Sequence, residues 1–176
     1  MTRLFVLLCA ALAVALTGCA TPEGPATRLD KANILPLELD DDYQFRKILT
    51  SVYDPNLVEQ QVSGNSGGVI EFERQRRTWG AVDSIEVANR FGSYFTFFWR
   101  TSKDSDVTLR LEYRQAGLGN FVMAQERYFP AARGSHRSTF QVTGDEFLEN
   151  GLVSAWRALL IVDGRVVALR QSSMWR

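Results

Sequence analysis

Residues 107–114, VTLRLEYR, alternate apolar and polar side chains without interruption. Successive side chains of a β-strand point to opposite faces of a sheet, so the apolar positions share one face. Those positions are Val107, Leu109, Leu111 and Tyr113. The residues between them are polar and include charged groups, which predicts a strand that is buried on one side and solvated on the other. This stretch places the fold among the β proteins.

Further candidate strands flank this stretch on both sides. Turn-forming residues such as Gly, Asp, Asn and Pro separate them, at the short and regular spacing of antiparallel β folds. The predicted strands are 69–77, 82–88, 93–100, 106–114, 120–129, 136–142, 152–162 and 165–174. Eight such strands predict an immunoglobulin-like antiparallel β-sandwich. A lipocalin-like closed β-barrel is the alternative, because it also needs about eight antiparallel strands.

The last two candidate strands predict a hairpin with a defined register. Asp163-Gly164 favours a type I′ two-residue turn, in which residues 162 and 165 form the first pair. Counting outward from this pair places Arg157 directly opposite Arg170. Like charges in opposite positions destabilise a sheet, so we expect a neutralising group beside these two arginines.

Two kinds of neutralising group fit this arginine pair. Glu112 and Glu126 belong to candidate strands that are rich in alternating charge, and an arginine fork binds a carboxylate with two hydrogen bonds. The cluster of Arg157, Arg170, Glu112 and Glu126 is therefore predicted to be a salt-bridge network. The alternative is a site in which an anionic ligand or partner binds both guanidinium groups.

Upstream of the strands, the sequence predicts one helix over residues 42–53. Asp40, Asp41 and Asp42 offer N-cap groups and negative charge, and Asp54-Pro55 ends the helix. Apolar residues recur at helical spacing between these limits. They are Phe45, Ile48, Leu49 and Val52. We expect this face to pack on the β domain, over the outward-facing aromatic residues Tyr94 and Phe98.

The N-terminus carries a targeting signal. Arg3 precedes an apolar run, Leu4 to Leu16, whose thirteen residues are too few to span a bilayer and match the apolar core of a secretory signal peptide. The run ends in Leu16-Thr17-Gly18-Cys19, which resembles the lipobox of bacterial lipoproteins. This resemblance implies cleavage before Cys19 and attachment of fatty acyl chains to Cys19. It further implies a protein of the bacterial envelope, and Ala20 favours the periplasmic face of the outer membrane.

These signals divide the chain into three parts. Residues 1–18 are predicted to be the signal peptide, residues 19–40 a tether that contains several prolines, and residues 41–176 a single β domain. Cys9 would leave with the signal and Cys19 would carry the lipid, so the mature domain would have no thiol for a disulfide. The predicted partners are the membrane, reached through the N-terminal lipid, and an envelope protein.

Composition and residue types narrow the function. Hydrophobic residues make up 45% of the 176 residues, which excludes disorder for most of the chain. Twenty Lys and Arg balance twenty Asp and Glu, without the basic excess that nucleic-acid binding requires. A zinc site is not expected, since His136 is the single histidine. No cofactor motif and no catalytic constellation is present.

We therefore predict a non-enzymatic structural or protein-interaction module. A lipocalin-like carrier of a small apolar ligand is the alternative.

Overall fold

A computed structural model of the protein describes residues 24–29, 32–54 and 79–176. The elements in chain order are β1 (Thr27–Leu29), β2 (Tyr43–Tyr53), α1 (Ser84–Ala88), β3 (Gly92–Gln115), a 3-10 turn (Ala116–Leu118), β4 (Met123–Thr143), α2 (Asp145–Asn150), β5 (Val153–Val162) and β6 (Arg165–Gln171). Neither described helix is long and apolar enough to cross a membrane. The predicted signal peptide, Cys19 and the predicted strand 69–77 lie outside the described residues.

The described strands form one six-stranded antiparallel sheet. Its order is β1-β4-β3-β5-β6, and β2 pairs with β3. The prediction of a mainly β, antiparallel fold with few helices is confirmed. The sheet is not closed into a barrel, so the lipocalin-like alternative is wrong. The immunoglobulin-like sandwich and the count of eight strands are not confirmed.

β3 and β4 are much longer than predicted, with 24 and 21 residues. The sequence predicts turns near residues 102–106 and 130–134, but both strands continue through these regions. The register of the β3–β4 pair shifts on each side of Ser105, and Ala131 adopts a positive φ of 45°. Bulges absorb the extra residues there, because a β-bulge tolerates the same residue types as a turn. The predicted strands 93–100 and 106–114 are therefore both part of β3, and 120–129 and 136–142 are both part of β4.

The long β3–β4 hairpin bends at these bulges, and its two halves face each other. The ring of Trp156, opposite Tyr113 in one half, lies 6.0 Å from the ring of Phe95 and 5.9 Å from the ring of Phe97 in the other. Large side chains fill the space between the halves. The largest fully buried ones are Trp99, Tyr113, Phe97 and Phe140. This interior is packed with aromatic rings that touch each other.

The predicted helix over residues 42–53 is wrong, because this segment is strand β2. The register with β3 shifts between Phe45 and Lys47, which adds one residue to β2. Phe45 pairs with Trp99 and Ile48 pairs with Phe97, so both face the core although they are three residues apart. The bulge therefore gives the apolar residues of this strand the spacing expected of a helix. β2 lies beside Tyr94 and Phe98 as a paired strand and does not cover them as a helix.

The predicted strand 82–88 is also wrong, because it contains helix α1. Asp83 caps the helix by accepting a hydrogen bond from the backbone N–H of Glu86 (2.8 Å). The carboxylate of Glu86 accepts one in return from the backbone N–H of Val82 (2.7 Å). This reciprocal arrangement resembles a capping box, whose Asp-x-x-Glu spacing is present in the sequence.

The β5–β6 hairpin forms around the predicted turn but with a different register. Asp163 and Gly164 have φ values of 49° and 73°, as a type I′ turn requires. The register then shifts next to Leu160, where β6 contains one additional residue. Arg157 therefore lies opposite Gln171, and Arg170 lies opposite Ala158. The predicted pairing of Arg157 with Arg170 is wrong.

The predicted tether, residues 19–40, is part of the folded domain over much of its length. Residues 27–29 form β1, which pairs with residues 124–126 of β4. Leu35 packs against a second apolar cluster on the outer face of β5 and β6. The domain therefore begins well before residue 41, and residues 24–29 and 32–40 cover part of the sheet.

Candidate functional site

The predicted ionic cluster lies on the face of β3 that points away from the aromatic core. Arg110 and Glu112 are nevertheless only 7% and 2% exposed. Part of the cover comes from the segment before β2, where the backbone carbonyl of Asn33 accepts a hydrogen bond from Arg110 Nη1 (2.9 Å). Burial of charged groups is costly unless each has a partner, so the contacts of this cluster decide its role.

Each carboxylate of this cluster is bound by arginine. Glu112 Oε2 accepts from Arg157 Nε at 2.6 Å, and Glu112 Oε1 lies 3.5 Å from Arg110 Nη1. Glu126 Oε1 accepts from Arg110 Nε at 2.5 Å. The sheet register explains this geometry, because Arg110 is the direct partner of Glu126 and Glu112 is the direct partner of Arg157. We call these four residues the ionic network.

The structure brings together three of the four predicted cluster residues, Arg157, Glu112 and Glu126. Arg170 lies elsewhere and is exposed, because the extra residue in β6 moves it out of register with Arg157. Sequence reasoning missed Arg110 as the cation that joins both carboxylates. The alternation of charge in residues 107–114 contained that signal, since Arg110 and Glu112 share a face at a spacing of two.

The C-terminus closes the ionic network on another side. The guanidinium groups of Arg114 and Arg157 lie 4.7 and 4.8 Å from the ring centre of Trp175, which is buried. Arg114 also donates to the backbone carbonyl of Arg176 (3.2 Å). Arginine stacked on an aromatic ring gains cation–π attraction and loses access to water. Its charges are paired internally, and Arg110 and Glu112 are buried, so the ionic network holds the sheet and its cover together.

An open groove lies between the first residues of β2 and the last residues of β6. Its volume is about 520 Å³, and its walls come from the turn before β2, from residues 43–46 and from residues 167–170. Phe45 and Val167 provide a buried apolar floor, while Arg46 and Arg170 are exposed at its mouth. We call this feature the β2–β6 groove.

The β2–β6 groove is bordered by strand edges. Val166 and Val167 make main-chain hydrogen bonds with residues 36–40, which run parallel to β6. At Asp40 the chain leaves β6 and turns into β2. Beyond Val167, the outer edge of β6 has no main-chain partner among the residues that the structure describes. An edge strand of this kind is a template for pairing with another extended segment.

An ion-pair cluster fixes the turn at one end of the groove. Lys103 Nζ lies 3.0 Å from Asp40 Oδ2 and 2.5 Å from Asp42 Oδ2, and Ser102 donates to Asp42. The hydrogen bond from Lys103 lowers the pKa of Asp42. A backbone hydrogen bond from Asp42, and then Lys103, lowers the pKa of Asp40. Both carboxylates therefore stay ionised at neutral pH, and Lys103 neutralises part of their charge.

A second cleft, of about 600 Å³, lies at the end of the sheet beside α2. It is lined by Arg28, Leu29, Leu118, Phe121, Met123 and Asn150. Tyr113 lies fully buried near this end and donates to Glu146 Oε1 (2.5 Å), and burial raises the pKa of its hydroxyl. Arg28 lies 3.6 Å from the other oxygen of Glu146. Arg28, Glu146 and Tyr113 are bound to one another near this cleft, and four of its six lining residues are apolar.

His136 stacks on Trp99, with 4.3 Å between the ring centres. The indole N–H of Trp99 donates to Ser138 Oγ (3.0 Å), and burial lowers the pKa of His136. The imidazole of His136 therefore packs as an aromatic ring at the edge of the core. Among the described residues, no group of three or more His, Cys, Asp or Glu side chains is arranged to hold a metal ion.

Comparison with known proteins adds no relative, since no protein-family model, curated protein or solved structure matches the chain.

Proposed function

We propose that the chain is a lipid-anchored protein of the bacterial envelope whose β domain binds an extended segment of a partner protein, without catalysing a reaction. The proposed lipid anchor rests on the motif Leu16-Thr17-Gly18-Cys19, which ends a thirteen-residue apolar run. Several acyl chains on one cysteine would hold the protein stably at a membrane, since each buried CH₂ contributes roughly 0.8 kcal/mol.

The β2–β6 groove supports the binding role. β6 already accepts an added parallel segment, residues 36–40, and its edge continues past the point at which that segment leaves. A partner peptide lying along residues 168–171 would extend this pairing with further main-chain hydrogen bonds. Side chains on one side of such a peptide would meet the apolar floor formed by Phe45 and Val167.

The placement of the charged groups supports a non-catalytic role. Glu112, Glu126 and Arg157 are held in ion pairs, and His136 is stacked on Trp99. A binding surface made of main-chain groups and apolar side chains needs no reactive group. The carrier alternative would need an empty interior, whereas aromatic rings occupy the interior of the bent sheet.

Replacing Cys19 with alanine is expected to release the protein from the membrane fraction, because the acylated side chain is removed. Metabolic labelling with a fatty acid should mark the wild-type protein and not the variant. Cys9→Ala is the matched control, since Cys9 lies inside the apolar run and should leave labelling unchanged. A wild-type protein that takes up no fatty acid and washes off membranes at low salt would contradict the proposed anchor.

A photoreactive amino acid at position 170 is expected to form a discrete adduct with a partner protein in intact cells. The same amino acid at position 165 should not, although both positions are exposed arginines of β6, because Arg165 lies at the turn and pairs with Glu38. In the purified adduct, the amides of residues 168–171 should exchange hydrogen more slowly than in the free protein. Equal cross-linking at both positions, or unprotected amides in the adduct, would contradict strand addition at the β2–β6 groove.

A further inference from the structure

We infer that the β1 edge of the sheet lies against the lipid bilayer and that the β2–β6 groove opens away from it. This inference rests on the proposed lipidation of Cys19. The surface involved is formed by β1 and by residues 126–128 of β4. Its partner is the surface of a phospholipid membrane.

The folded domain contacts the chain close to the predicted lipidation site. The guanidinium of Arg127 donates to the backbone carbonyl of Gly24 at 2.5 Å. Three residues later, Thr27 begins its pairing with β4, opposite Glu126. Arg28 adds contacts with Met123 Sδ (3.9 Å). The chain is therefore attached to the sheet at Gly24 and again along β1.

The segment between Cys19 and Gly24 is short. Four residues, 20–23, lie between Gly24 and Cys19, the residue that would carry the lipid. Each step from one Cα to the next spans at most about 3.6 Å in an extended chain, so the five steps from Cys19 to Gly24 reach at most about 18 Å. The polar headgroup layer of one leaflet takes up about 7 Å of that distance. Little length is left, and the edge of the domain near Gly24 must stay close to the lipid surface.

The order of the strands places the two edges of the sheet far apart. β1 and β6 are the two ends of the path β1-β4-β3-β5-β6. Four strand spacings of about 4.8 Å separate them, which is about 19 Å measured along the sheet. An anchor at the β1 edge therefore places β6, and with it the β2–β6 groove, on the side away from the bilayer. A partner could reach the groove without displacing lipid.

The chemistry of the proposed contact surface fits a membrane interface. The Tyr128 ring is 58% exposed beside the attachment point, and its hydroxyl donates to Asp106 Oδ2 (2.6 Å). Tyrosine is enriched at the boundary between lipid and water because it has an apolar ring and a polar tip. The charged side chains beside it are paired, because Arg28 lies 3.6 Å from Glu146 and Glu126 accepts a hydrogen bond from Arg110. The contact should therefore form on lipid without net charge.

Single-cysteine labelling tests this orientation in the complete, lipid-anchored protein. The mature chain would have no thiol other than the acylated Cys19, so Thr27→Cys and Ser173→Cys each provide one exposed attachment site for a fluorophore. The purified proteins are reconstituted into phosphatidylcholine vesicles that contain a headgroup spin label as quencher. We expect several-fold stronger quenching of the fluorophore at position 27 than of the one at position 173.

Inserting twenty Gly and Ser residues between residues 23 and 24 is the control, and it should make quenching at the two positions nearly equal. Equal quenching without the insertion, or stronger quenching at position 173, would overturn the orientation. So would an orientation that persists after the insertion, because it would show that the short reach is not its cause. Protein that fails to bind the vesicles at all would instead contradict the proposed lipidation.

Discussion

Replacing Glu112 with alanine is expected to lower the free energy of unfolding by about 3–5 kcal/mol, because it removes one partner of a buried ion pair. The carboxylate of Glu112 is 3% exposed and lies between Arg110 and Arg157. Without it, Arg157 loses its charged partner at 2.6 Å, and Arg110 keeps its contacts with Glu126 and the carbonyl of Asn33. Urea unfolding followed by tryptophan fluorescence would measure the loss.

Two further variants show that the effect comes from the buried charge. Glu149→Ala removes an exposed carboxylate from α2 and should change stability by no more than about 0.5 kcal/mol. Glu112→Gln keeps the shape and one acceptor oxygen, so it should fall between the wild type and Glu112→Ala. If Glu112→Ala costs no more than Glu149→Ala, the ionic network does not hold the sheet and its cover together.

Replacing Gly92 with alanine should destabilise the protein by about 3 kcal/mol, because the added atom has no room. A Cβ at this position would lie 2.1 Å from the backbone oxygen of Val142 and 2.7 Å from Cγ2 of Thr143. Gly92 is the first residue of β3 and pairs with Tyr53 on one side and Thr143 on the other. Relief of the clash would pull β4 away from β3 and weaken the start of both ladders.

Gly164→Ala is the matched control for this prediction. Gly164 lies in the type I′ turn with a φ of 73°, and no atom lies within 4 Å of the place where its Cβ would be. The substitution therefore adds only the cost of a left-handed backbone conformation, about 1–2 kcal/mol. Thermal unfolding of both variants separates steric overlap from backbone preference. Equal losses at the two positions would show that the strands at Gly92 have room to adjust.

The alternation of residue types predicted the class of the fold but not its connectivity. Residues 107–114 lie in the middle of the sheet, with their apolar positions buried. The errors fall at bulges. One extra residue made β2 resemble a helix, one in β6 moved Arg170 away from Arg157, and those near Ser105 looked like a turn. A bulge and a turn use the same residues, and only pairing with a distant strand decides between them.

The candidate site was predictable only in part for a similar reason. Charge alternation indicated that Glu112 and Glu126 would meet arginines, and the register of the sheet supplies the particular pairs. The cover over the ionic network comes from Asn33 and Trp175, near opposite ends of the chain. No local pattern links such distant residues. The β2–β6 groove likewise depends on a bend that places two strand edges near each other.

The central position of β3 affects the rate at which the protein folds. β3 pairs with β2, β4 and β5, and β1 joins β4 about a hundred residues after its own position in the chain. A sheet held together by such distant pairings folds slowly compared with one built from neighbouring segments. The N-terminal part of the chain has no stable arrangement of its own until the later strands are present. The predicted signal peptide implies that the chain crosses a membrane unfolded, and slow folding would keep it competent for translocation until its last strands have been made.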